Sequence, residues 1–152
     1  MTRLHIHVGV KDVAASKSFY ATLFGQSPSF EREDYAKWSL DDPKVNFVIS
    51  THCGGHVGVD HVGLEADTPD GLGEIARRLK AAGQPTFDED AAHCCYANSQ
   101  KTWVADPGGL RWETFYTEGQ TTDYGEDAAR DAISSGRATL QSSLTSGPAC
   151  CG

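Results

Sequence analysis

Apolar residues recur along this chain at two periods. Residues 4–10 alternate between apolar and polar positions, which reads as a half-buried strand. Asp12 then stands as a helix N-cap. Val13, Ser16, Phe19, Tyr20, Leu23 and Phe24 follow at helical spacing up to Gly25. Short β-like runs come next at 35–40 and 45–50, separated by Asp41-Asp42-Pro43. The same order then returns. Residues 60–66 read as a strand, and Thr68 caps a helix with apolar positions at Leu72, Ile75, Ala76, Leu79 and Ala82, ending at Gly83. Residues 102–105 and 110–116 read as strands on either side of the turn Asp106-Pro107-Gly108-Gly109.

Local identities support an internal repeat. His7-Val8-Gly9-Val10 echoes His61-Val62-Gly63-Leu64, Gly25-Gln26 echoes Gly83-Gln84, and Asp42-Pro43 echoes Asp106-Pro107. Each half reads as β-α-β-β-β. A half of that size cannot cover both faces of a sheet alone, but two can close around a shared cleft where a ligand would sit. The predicted fold class is therefore α+β, with paired βαβββ modules at about residues 1–52 and 58–116. Near Thr117 the composition turns to Gly, Ser, Thr, Asp and Ala, which predicts one domain over 1–116 and a polar, mostly disordered, Cys-containing tail over 117–152.

Composition narrows the function. The 152 residues carry a formal net charge of -8, which argues against nucleic acid as the main partner. The apolar runs are strand-length, so no transmembrane helix is expected, and the first residues lack a signal-peptide core. A cytoplasmic protein with reduced thiols is the expectation. The five cysteines include two adjacent pairs, Cys94-Cys95 and Cys150-Cys151. Adjacent cysteines cannot form an ordinary disulfide without strain, so each pair reads as two thiols offered to one soft ion. The ordinary alternative is a pair of small buried apolar residues. A regular strand would send the two thiols to opposite faces, so a shared ion at Cys94 and Cys95 requires a loop or bulge. Ala91, Ala92 and Ala97 make such a loop plausible.

Three further residues suggest a metal site. His5, His61 and Glu113 lie in predicted strands at separations of 56 and 52 residues, about one module each. Two imidazoles and one carboxylate form a facial set with open positions, as in non-haem Fe(II) oxygenases. A strand histidine is more often simply hydrogen-bonded, and Glu113 faces either a ligand or solvent. His7 shares a strand face with His5 and competes with it. We prefer His5 because His5 to Val10 and His61 to Ala66 are equal lengths ahead of each helix, leaving His7 in the cleft to touch substrate.

These features together resemble the vicinal oxygen chelate superfamily, which includes glyoxalase I, extradiol dioxygenases and fosfomycin-resistance enzymes. The resemblance is carried by His5, the helix Ser16-x-x-Phe19-Tyr20-x-x-Leu23-Phe24-Gly25, Asp60-His61-Val62-Gly63-Leu64, and Asp106-Pro107-Gly108-Gly109 before Arg111-Trp112-Glu113. The superfamily's fourth ligand position falls near the apolar Val48 or Ile49, which favours three protein ligands. Adding Tyr35-Ala36-x-Trp38, Cys94-Cys95-Tyr96-Ala97 and the Cys-bearing tail, the chain is similar to organoarsenical C–As lyases and cadmium-induced proteins.

That resemblance implies an Fe(II)-dependent dioxygenase, with Ni, Mn or Zn as other metals, acting on a trivalent organoarsenical or soft metal ion. His61 and Glu113 would bind the metal together with His5, where the family typically has Gln. Cys94 and Cys95 would bind As(III), with Cys150 and Cys151 as auxiliary thiols and a homodimer as the assembly. Two alternatives stand beside it. One is a non-enzymatic Cd(II)/As(III)-binding resistance protein. The other is a thiol transferase of the fosfomycin-resistance type, which would need cationic residues converging on the cleft, whereas Lys and Arg are scattered along the sequence.

Overall fold

The computed structural model describes residues 2–126. The elements run β1 (Arg3–Gly9), α1 (Val13–Phe24), β2 (Phe30–Arg32), β3 (Tyr35–Asp41), β4 (Lys44–Ser50), β5 (Gly58–Glu65), α2 (Pro69–Ala81), β6 (Thr86–Cys94), β7 (Ala97–Ala105) and β8 (Arg111–Gln120). This is βαβββ twice. All eight strands form one mixed sheet in the order β2-β3-β4-β1-β5-β8-β7-β6. Within each module the first and last strands are parallel, and the two modules meet along the antiparallel β1–β5 seam.

The local signals act as the sequence suggests. The Asp12 carboxylate accepts from Ala15 N at 3.0 Å to open α1, and Gly25 closes it with φ of 69°. Thr68 Oγ1 accepts from Gly71 N at 3.1 Å, with Pro69 in the first turn of α2. Asp106 Oδ1 accepts from the amides of Gly108 and Leu110 to hold the turn before β8.

Four details differ from the sequence reading. The βαβββ reading places only two of the three strands that follow each helix; the remaining ones are β2, with three residues, and β6, which carries Asp88, Glu89 and Asp90 as a charged edge strand. β7 begins at Ala97 rather than at residue 102. On α1, Phe19 and Leu23 are 61% and 62% exposed, because the stripe facing the sheet runs through Val13, Tyr20 and Phe24. The expected boundary at 116/117 falls inside β8, and residues 121–126 pack back on the sheet: Tyr124 is buried and Gly125 bridges to Cys94. Cys150 and Cys151 lie outside the described residues.

Strand alternation separates two environments. Ala36, Trp38, Leu40, Phe47 and Ile49 pack with Val13 beneath α1. The opposite face of the same strands presents Tyr35, Lys37, Asn46 and Val48 to a cleft, joined by His5 and His7 of β1. Among the described residues, no helix is long and apolar enough to cross a membrane.

Candidate metal and thiol site

Strand register assembles the cleft floor. β1 and β5 set His7 opposite His61 and His5 opposite Gly63. β5 and β8 set Gly63 opposite Glu113. The residue between His5 and Glu113 therefore has no side chain. His5 Nε2 and His61 Nε2 are 3.1 Å apart, and Glu113 Oε2 lies 3.5 Å from the first and 3.3 Å from the second. All three side chains are buried. His7 joins the group: one ligand atom from each of His5, His7 and His61 lies within 4.8 Å of the others. His7 Nε2 also bonds Ser50 Oγ at 2.8 Å. Both the His5–His61–Glu113 and His5–His7–His61 triples are thus drawn together, and the shorter mutual distances belong to the set with Glu113.

The hydrogen bonds behind these atoms fix what faces inward. His5 Nδ1 lies 3.1 Å from the Asn46 carbonyl oxygen, and His61 Nδ1 lies 2.9 Å from Asp60 Oδ2. Both partners only accept, so each Nδ1 carries the proton and each Nε2 presents a lone pair. With both rings neutral, two lone pairs and a carboxylate oxygen then meet with no hydrogen to separate them. Such a set calls for a positive charge at its centre, and a divalent metal fits its donor chemistry. Bonds of about 2.1 Å at right angles put neighbouring donors roughly 3 Å apart, close to the observed spacing.

Electrostatics agree with this reading. Burial, reinforced by His61, pulls the His5 pKa down to about 3. Burial likewise holds His7 well below the usual histidine range. Burial opposes a charge on His61, but its bonds to Asp60 and Glu113 outweigh that and raise its pKa. Burial alone would also raise Glu113, yet Lys101, with Nζ 2.6 Å from Oε1, holds the carboxyl well below its usual range, assisted by His61. Arg111 reaches Asp60 at 2.5 Å behind His61. Phe115 and Trp103 pack edge-on against His5 and His61.

Cys94 ends β6 and pairs with Ala97, leaving Cys95 and Tyr96 as a two-residue hairpin turn. Both turn residues have positive φ, 60° and 61°, as a type I′ turn requires, although neither is glycine or asparagine. A left-handed residue costs roughly 1–2 kcal/mol, so other contacts must hold it. Thr121 N donates to the Tyr96 carbonyl at 2.8 Å, Glu126 N to the His93 carbonyl at 2.9 Å, and Tyr96 Oη to Asp34 at 2.6 Å. The turn brings both sulfurs to one side, 2.8 Å apart. Cys94 is buried and Cys95 half-buried, and both line the same cleft as His5, His7 and Glu113. The cleft encloses about 420 Å³, counting its open mouth.

Several residues of the site lay outside the sequence reading. Lys101 and Lys37 both line the cleft, so its cations are less scattered than the chain order suggests. Ser50, Tyr124 and the Asn46 carbonyl support the histidines or thiols. A signal did exist for Lys101: it shares a strand parity with Trp103, which pairs with Glu113.

Residues 2–114 match the Glyoxalase/Bleomycin resistance protein/Dioxygenase superfamily, and the chain belongs to it. It is 36% identical to a trivalent organoarsenical cleaving enzyme of Thermomonospora curvata, over 91% of this chain and 96% of that protein. It is 29% identical to the cadmium-induced protein CadI of Mycobacterium bovis, over 92% of each. Among solved structures it is similar to homoprotocatechuate 2,3-dioxygenase from Arthrobacter globiformis, with a TM-score of 0.57 and 20% identity. That match covers 78% of this chain and 36% of the other, a likeness of fold.

Proposed function

We propose that this protein is a metal-dependent enzyme that cleaves the carbon–arsenic bond of trivalent organoarsenicals, using Fe(II) and dioxygen. One observation carries the reading: an adjacent cysteine pair with its sulfurs 2.8 Å apart and a buried two-histidine, one-carboxylate set line a single cleft. The name of the Thermomonospora relative supports the same substrate.

The thiols come first. Cys94 and Cys95 displace two hydroxyls from the arsenic of an organoarsenous acid; two S–As bonds form, two As–O bonds break and two waters leave. Thiolate is the binding form, so a cytoplasmic setting that keeps both sulfurs reduced suits the step. His5, His61 and Glu113 would hold the metal, which supplies the redox chemistry with dioxygen. The Asn46 carbonyl and Asp60 orient the imidazoles, and Lys101 fixes the outer oxygen of Glu113. Phe115 and Trp103 keep water from the floor. Cys150 and Cys151 are auxiliary thiols in this scheme.

The test is direct. Protein purified without oxygen and loaded with Fe(II) is mixed with methylarsenite and air, and release of inorganic arsenite is followed. Release that requires Cys94 and Cys95 supports the reading. Stoichiometric uptake without turnover points instead to sequestration, a reading favoured by the similarity to CadI.

A further inference from the structure

Two polar groups in the cleft are left over once donors and thiols have their places. Asn46 is 3% exposed, and its Nδ2 donates to Glu65 Oε2 at 3.1 Å. A carboxylate only accepts, so the amide orientation is fixed and the other atom is Oδ1. That oxygen is buried with no hydrogen-bond partner among the described residues. A buried acceptor without a donor is costly, and a ligand that supplies one removes the cost.

Lys37 is the second group. It lies on the cleft face of β3 beside Tyr35, while Ala36 and Trp38 face α1. Among the described residues its ammonium makes no hydrogen bond or ion pair; the Phe30 ring is 5.9 Å away. Burial lowers its pKa, partly offset by Glu65. β3 and β4 pair Lys37 with Val48 and Ser39 with Asn46, so Lys37 and Asn46 are diagonal neighbours on one face, roughly 7 Å apart by ordinary sheet spacing.

That spacing is between backbones; the long Lys37 side chain can carry its ammonium toward the Asn46 amide, where a single hydroxyl can accept from Lys37 and donate to Asn46 Oδ1. A carboxylate would satisfy Lys37 but face Oδ1 as a second acceptor. Tyr35, Val48 and Phe115 supply apolar walls for a ring. We propose that Lys37 and Asn46 form a specificity subsite for a hydroxyl on the organic substituent, so that the protein prefers hydroxyphenyl arsenous acids to the unsubstituted phenyl compound. The proposal rests on the arsenical reading.

Binding to metal-free protein tests it apart from catalysis. Phenylarsenous acid and its three ring-hydroxylated isomers are titrated calorimetrically against the full chain. At least one isomer is expected to bind about tenfold tighter than the phenyl compound, the size of a hydrogen bond to a charged group. Lys37→Met and Asn46→Ala should each bring that ratio close to one, and Lys37→Arg should keep it. Ratios near one for all isomers in the wild type overturn the subsite alone. A ratio that survives in both variants does the same. Failure of the wild type to bind any arsenical overturns the subsite and the arsenical reading together.

Discussion

Lys101 Nζ lies 2.6 Å from Glu113 Oε1, and both side chains are 5% exposed. The pair leaves Glu113 Oε2 free to face His5 and His61. Breaking a buried ion pair by removing one partner typically costs about 3–5 kcal/mol, because the remaining charge is stranded. Lys101→Met should therefore lower the thermal midpoint of the metal-free protein. A divalent metal supplies a new partner for Glu113, so added Fe(II) should stabilise this variant more than the wild type. Equal metal-induced shifts in both proteins would contradict this role for Lys101.

Glu113→Ala removes a proposed metal donor but touches neither sulfur. Turnover should be lost while arsenical uptake by Cys94 and Cys95 persists. The check is titration with methylarsenite beside the arsenite-release assay. Loss of both functions together in a folded variant would contradict separate roles.

Gly63 stands between His5 and Glu113 in the strand register. A Cβ at this position would collide with the Glu113 carbonyl, and backbone cannot swing aside as a flexible side chain can. Gly63→Ala should push β8 away and cut metal affinity by at least about tenfold, the effect known for losing a supporting group behind a ligand. Competition with a chelator measures it.

Acid should displace the metal. The raised pKa of His61 means that, without metal, a proton competes for the place the cation would take. As pH rises through that pKa the proton leaves and affinity increases; as pH falls affinity is lost. Metal uptake below that pKa should release about one proton per ion from His61. Calorimetry in two buffers of different ionisation enthalpy reads this directly, and His5, already neutral with its pKa near 3, should add nothing near neutrality.

Asp34 links the thiol turn to pH by a different route. Burial would raise its pKa, but bonds from Tyr96 and His52 outweigh that and lower it. A depressed carboxyl stabilises the fold above its unfolded pKa of about 3.9, and the contribution disappears as pH falls through the folded value. Asp34→Asn should flatten this acid-side dependence and weaken arsenical binding, since Tyr96 Oη loses its charged acceptor at 2.6 Å. Unfolding curves between pH 2 and 6 provide the measurement.

The repeat, both helices with their caps, and the turn at Asp106 were readable because each rests on short-range chemistry: periodicity, an N-cap oxygen, a glycine or proline. β6 was not, because an edge strand bearing Asp88, Glu89 and Asp90 has no apolar alternation to announce it. His5 and His61 could be nominated by equal distances ahead of the two helices, and Glu113 by its place in the last strand about one module further on. The choice of Oε2 over Oε1 on Glu113 could not, since it depends on Lys101 arriving from β7. The thiol turn was anticipated only as some departure from a strand. Its left-handed form is set by residues 121–126, more than twenty positions further on. Asn46 and Lys37 look unremarkable in sequence, because an unmet hydrogen bond exists only in three dimensions.

The seam between β1 and β5 gives the donor cluster a second meaning. His5 comes from one half of the molecule and His61 and Glu113 from the other, so neither half alone owns a complete set. An ion held there would act as a rivet across the joint, and its release would report slippage of the halves before either one melts.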